Sequence, residues 1–226
     1  MYKDNFDGLI VATKQQKDEI TKFYDYKQVI SLTDTFAKKV KKSASRNKNK
    51  IIYVGRLSSE KKPADVVEIF ANVYRRLPET SLDFYGYSSP SEIQKDLEKL
   101  VETNNLKNVV NFKGYQSEEA LEIALNNAGL LLNTSEGGAF GMSVLEAVKH
   151  GVPVVAYKVK YGLTEQIENG ENGYLVPYGA IQAAADSIVE IIQSKANWDK
   201  FSRSAYEKAK EYSEEAVWGQ WLNEKI

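Results

Sequence analysis

The chain has 226 residues, a formal net charge of −1 and no cysteine. A chain of this length buries about 70–75 % of its unfolded surface without covalent staples, and lacking cysteine it has neither disulfides nor thiolate metal sites, as suits a reducing compartment. The near-neutral charge provides no global basic field for nucleic acid. Near the N-terminus the apolar run LIVA is too short for a signal peptide or a membrane span.

In chain order, GLIVAT (8–13) reads as a strand, KQQKDEITKFY (14–24) as an amphipathic helix and KQVISL (27–32) as a second short strand. Residues 37–50 then carry seven basic side chains and no acidic one. Such a run reads as a solvated linker, or alternatively as a surface for phosphate-rich acceptors or anionic lipid. From residue 50 the alternation becomes regular. KIIYVG is a strand, and Pro63 suits the first turn of the helix ADVVEIFANVYRRL. SLDFYG, NVVNFKG, GLLLNT, VPVVAY and GYLVP are further strands. Between them lie the helices SEIQKDLEKLVETN, SEEALEIALNNA, which Ser117 is placed to cap, and FGMSVLEAVKH. The C-terminus reads as helical from about residue 180.

Apolar runs such as IIYV, LLL and VPVV suit strands buried on both faces, and their alternation with helices implies βαβ units. The expectation is an α/β, doubly wound parallel sheet over 50–195. Residues 1–36 read as a residual strand–helix–strand of another domain, 37–49 as a basic linker and 196–226 as C-terminal helices.

In such sheets ligands bind beyond the carboxyl ends of strands, and three loops there carry suitable chemistry. GRLSSEKKP (55–63) sets Arg56 and Lys61 where they can neutralise a phosphate or diphosphate. LLLNTSEGGAFG carries a strand into a helix; its glycines admit close backbone approach, and the helix start offers unpaired N–H donors to an anion. Glu146, about two turns into that helix, can accept hydrogen bonds from sugar hydroxyls. The third loop, KVKYGLTEQIENGENGYLVP (158–177), reads as a short helix and a tight turn. Neither a Walker A loop nor G-x-G-x-x-G is present, which removes the main support for an ATPase or a dinucleotide oxidoreductase.

The one histidine, His150, precedes Gly151 at a helix end, where an imidazolium suits the negative pole and the glycine caps. No His/Cys cluster or paired-Asp pattern points to a metal. Asn133-Thr134-Ser135 matches a glycosylation sequon, read as coincidental at a strand end.

Taken in order, VGRLSSEKKPADVVEIF, FKGYQSEEALEIALNNAGLLLNTS, AFGMSVLEAVKHGVPVVAY and IENGENGYLVP resemble the donor-binding half of GT-B glycosyltransferases of family 4, the glycosyl transferases group 1. Within that family KYG (160–162) and ENGYLVP (171–177) look most like the poly(glycerol-phosphate) α-glucosyltransferase branch, with the adhesin-glycosylating branch as neighbour. The resemblance implies a Rossmann-like C-terminal half of a GT-B enzyme. It implies retaining, metal-independent transfer from a UDP-sugar, UDP-glucose in that branch, to a polymer acceptor such as teichoic acid, with no cofactor. Arg56 and Lys61 would hold the donor diphosphate, Gly114 and Tyr115 would meet the base, and Glu146 the ribose. Gly138, Phe140, Gly141 and Met142 would form the backbone cradle for sugar and phosphate.

Two departures stand out. The family places a sugar-binding Glu eight residues before the ribose Glu, and this chain has Gly138 there, with Glu136 at a variable position. Many members also have Gly where this chain has Lys62. Acceptor and catalytic groups come mainly from an N-terminal domain of which residues 1–32 resemble only the last part, so the catalytic residues are unassigned and an N-terminal half or partner subunit is expected. The C-terminal helix resembles the segment crossing back to that domain. The location implied is the cytoplasm of a bacterium, with at most peripheral contact at the inner face of the membrane. The rival reading is a non-catalytic relative that binds a polymer or an adhesin protein.

Overall fold

The computed structural model describes residues 8–33, 46–88, 92–138 and 140–223. The opening segment is a small unit. β1 (Leu9–Val11) and β2 (Val29–Ser31) pair in parallel around α1 (Lys14–Phe23), whose first turn is capped by the Thr13 hydroxyl accepting the Gln16 N–H at 3.0 Å. It forms a two-stranded sheet of its own.

The main sheet is built from β3 (Lys50–Val54), β4 (Ser81–Tyr85), β5 (Val110–Gly114), β6 (Leu130–Asn133), β7 (Val154–Tyr157) and β8 (Gly173–Val176). Its helices are α2 (Pro63–Tyr74), α3 (Glu92–Thr103), α4 (Glu118–Asn127), α5 (Met142–Lys149), the short α6 (Leu163–Gln166), α7 (Ile181–Ile192), α8 (Lys195–Ala209) and α9 (Glu214–Asn223). All strand pairs are parallel, in the order β5-β4-β3-β6-β7-β8. This is the doubly wound α/β sheet that the alternation implied. The order reverses between β3 and β6, so the crevice beyond their carboxyl ends lies at the topological switch point.

Side chains alternate across β3 as a pleated strand requires. Ile51 and Tyr53 enter the core layer with Val66 and Phe70 of α2 and Ile188 of α7. Ile52 enters the opposite layer with Val144, Leu145 and Val148 of α5. Pro63 opens α2, where its missing N–H leaves no bond unmade, and Ser117 caps α4 by accepting the Ala120 N–H at 3.3 Å.

The helices beyond residue 195 join these layers. Trp198 and Phe201 of α8 lie in the first core, Ala205 in the second, and the Trp198 indole N–H donates to the Gly129 carbonyl at 2.6 Å. The basic run expected as a solvated linker lies outside the described residues through Ser45, but its end is held by the protein. Arg46 donates to the Gly151 carbonyl at 2.8 Å and the Tyr206 hydroxyl at 2.7 Å, with its guanidinium 5.2 Å from the Tyr206 ring centre. Lys48 donates to the Ile192 carbonyl at 2.6 Å. Both cations find oxygen partners on the chain. Among the described residues no helix is long and apolar enough to cross a membrane.

Candidate functional site

The loops that leave β3 and β6 are tied into one unit. The buried Thr134 hydroxyl lies 2.7 and 2.9 Å from the carbonyls of Lys61 and Lys62, and the Glu136 N–H donates to the Glu60 carbonyl at 2.9 Å. Lys61 ends a single 3-10 turn, Ser59–Lys61, just before α2. Lys62 follows in left-handed backbone at φ 46°, a region that favours glycine. Its ammonium is held by Glu136 at 3.4 Å, and the Tyr178 hydroxyl, then Glu136, raise its pKa above the usual lysine range.

The glycine loop then turns into α5. Gly141 sits at φ 93° as the N-cap, and a side chain there would meet Leu163 at 2.6 Å. Phe140 is buried edge-on against Tyr212, and its carbonyl accepts the Gln166 amide at 2.6 Å. The loop's far side is fixed by the Tyr161 N–H donating to the Gly138 carbonyl at 3.1 Å. Thus the cradle residues are positioned by backbone bonds, leaving the first N–H groups of α5 without carbonyls a turn back.

Between these loops lies a cleft of about 580 Å³ lined by Lys61, Gly138, Phe140, Gly141, Met142 and Glu146. Its apolar wall comes from Leu121 and Leu125 of α4 and Leu163 of α6, and Ala12 of the small N-terminal unit closes one side. The arrangement combines a cation, a helix start and a carboxylate in one partly apolar crevice, which suits an anion carrying hydroxyls. Among the described residues no group of three or more metal-ligating side chains comes together.

Three expected residues, Arg56, Gly114 and Tyr115, stand outside this lining. The Arg56 side chain is 60 % exposed and ion-paired with Glu60 at 2.7 Å, at the rim beside Gly55. Tyr115 follows Gly114 at the end of β5 and is 77 % exposed, edge-on to Tyr87 at 6.4 Å. Glu136 turns away from the cleft to Lys62 and the Tyr178 hydroxyl. Sequence reading missed Asn133 and Ser143, which also line the cleft. Asn133 accepts the Ser135 N–H at 3.1 Å, an Asx turn whose signal lay in the Asn-x-Ser pattern set aside as a chance sequon.

His150 corrects one expectation. It does end α5 before Gly151, and the N–H groups of Gly151 and Val152 close a Schellman motif on the carbonyls of Val148 and Ala147 at 2.8 and 2.9 Å. Its ring, however, is 1 % exposed, with Nδ1 3.0 Å from the Asn126 side-chain oxygen. Burial first, and Lys149 next, push its pKa down from 6.5 to about 4. The imidazole is therefore neutral near pH 7, not a cation on the helix pole. The unfolded chain takes up this proton at a higher pH than the folded one. Stability from this group is accordingly full above pH 6.5 and is lost as pH falls from 6.5 toward 4, by about 3 kcal/mol in all. His150→Gln should flatten that part of the acid profile, measured as urea midpoints at pH 7 and 4.5; an unchanged slope contradicts the assignment.

The profile of the family described as glycosyl transferases group 1 matches residues 34–212. The chain is 29 % identical over 213 residues to the poly(glycerol-phosphate) α-glucosyltransferase of Bacillus subtilis strain 168, covering 92 % of this chain and 31 % of that protein. It is 28 % identical over 222 residues to the poly(ribitol-phosphate) α-N-acetylglucosaminyltransferase of Staphylococcus aureus strain COL, covering 97 % and 44 %. A solved structure of a mutant S. aureus TarM with fondaparinux, α-GlcNAc-glycerol and UDP superposes with a TM-score of 0.87 at 26 % identity, over 98 % of this chain and 44 % of that one. The chain spans less than half the length of these relatives.

Proposed function

Because the chain belongs to the glycosyl transferases group 1 family, we propose that it is the nucleotide-sugar-binding region of a retaining, metal-independent hexosyltransferase. Its donor is UDP-glucose and its acceptor poly(glycerol phosphate) of wall teichoic acid. The observation that carries this reading is the joint presence of Lys61, the Gly138–Gly141 turn and Glu146 in one cleft at the switch point. Lys61 and Arg56 neutralise the donor diphosphate, and Arg56 leaves Glu60 to do so. The start of α5 at Gly141 and Met142 faces phosphate and sugar, Glu146 accepts from the ribose hydroxyls, and the Gly114–Tyr115 turn meets the base.

Transfer then rests on positioning and on stabilising the charge that collects on the departing diphosphate. Residues 1–36 are the end of an acceptor-binding domain, joined by a 37–49 linker to a 50–195 donor domain. Of the C-terminal helices over 196–226, α8 packs into the donor core and the helix after it returns toward the first. The rest of that acceptor domain, or a partner subunit, supplies the catalytic groups, and the chain alone transfers little. It works in the cytoplasm at the inner face of the membrane, where nucleotide sugars meet a growing polymer.

Relatives that use glucose and N-acetylglucosamine both match this chain, so the donor is the point to test. Saturation-transfer NMR with equimolar UDP-glucose and UDP-N-acetylglucosamine should show the glucose donor engaged more strongly. Preference for the N-acetylated donor overturns the glucose assignment. Gly138, where the resemblance implies an acid, favours a second reading: a non-catalytic relative that binds polymer or an adhesin. Engagement of poly(glycerol phosphate) with neither sugar nucleotide would support that one.

A further inference from the structure

Lys149 is the last residue of α5, one turn beyond Glu146, and it is only 6 % exposed. A buried ammonium is costly unless paired, and this one has two carboxylates. Its Nζ lies 3.1 Å from Oε2 of Glu146 and 3.7 Å from Oε1 of Glu122 on α4. The next residue repeats the link, since His150 meets Asn126, one turn after Glu122 on the same helix. On the adjoining face of α4, Leu121 and Leu125 line the cleft that Glu146 also lines. The Glu146 carboxylate thus stands between a buried cation on one side and the cleft on the other.

We propose that Lys149 is a positioning residue for donor binding: it holds Oε2 of Glu146 so that Oε1 is presented to the ribose hydroxyls. The proposal rests on the reading of Glu146 as the ribose acceptor. A carboxylate pinned through one oxygen loses less rotamer freedom when the ligand arrives, and its remaining oxygen keeps its acceptor sites. Glu122 contacts the same ammonium from α4 and so ties the ribose acceptor to the helix that walls the cleft.

The test is calorimetric titration of the full chain with UDP and with 2′,3′-dideoxy-UDP. The native chain should prefer UDP. Lys149→Met should weaken UDP about tenfold and leave the dideoxy ligand unchanged, while Lys149→Arg restores most of the preference. In a Glu146→Gln background Lys149→Met should cost nothing further. Should the Met variant fail to fold, Lys149→Gln carries the same comparison. Equal weakening of both ligands marks a merely structural lysine and overturns the proposal. If Glu146→Gln abolishes the preference while Lys149→Met keeps it, the positioning role alone falls. If Glu146→Gln itself leaves the preference intact, the ribose reading falls with it.

Discussion

Lys61→Ala is expected to weaken UDP binding by roughly 10–150-fold, the equivalent of one charge-assisted contact of about 1.5–3 kcal/mol. The size follows from where the ammonium sits. Lys61 lines a cleft walled by Leu121, Leu125 and Leu163, where water screens less than at an open surface. Its backbone is fixed beforehand by the Thr134 hydroxyl, so only the side chain is left for the ligand to order. Arg56→Ala should cost less, roughly 3–10-fold, because its exposed guanidinium gives up Glu60 in exchange for the diphosphate. Titration calorimetry of both variants decides the matter. Native affinity in both would remove the diphosphate assignment, and a larger effect at Arg56 would reverse the ranking.

Gly138→Glu is expected to gain function. Gly138 lines the cleft, its backbone lies outside the left-handed region and a Cβ there would meet nothing within 4 Å. A side chain therefore enters open space, and the Tyr161 N–H keeps its bond to the Gly138 carbonyl because only backbone is involved. Restoring the acid that the family resemblance implies adds one charged acceptor for sugar hydroxyls, again about 1.5–3 kcal/mol. The variant should bind UDP-glucose roughly 10–150-fold more tightly than the native chain, while UDP, which has no sugar to meet the acid, binds as before. Equal gains for both ligands, or none, would show that position 138 does not face the sugar.

Much of the fold was legible because its central strands β3, β4, β6 and β7 are buried on both faces. Runs such as IIYV and VPVV have no other comfortable place, and Pro63, Ser117 and Gly151 mark helix ends by local chemistry alone. The strand order was not legible in the same way. It depends on which edges pair, a choice made by contacts between distant segments. Arg46 shows the limit plainly: its partners lie 105 and 160 residues away, so its charge read as solvated. Lys149 is a similar case, an apparently ordinary lysine at a helix end whose burial depends on Glu122 of another helix.

Within the site, Lys61, the glycine turn and Glu146 could be found because strand ends and helix starts announce themselves in sequence. Asn133 was signalled only by its Asn-x-Ser pattern, and Ser143 could not be weighed until β6 and α5 were side by side. The charge state of His150 also needed the fold, since burial of the ring, with Lys149 beside it, rather than its place at the helix pole sets it.

The most direct measurement is titration of UDP into the intact chain with a chelator present. The account predicts saturable one-to-one binding that Lys61→Ala and Glu146→Gln each weaken. No binding at millimolar UDP, or equal binding by the double variant, would contradict it.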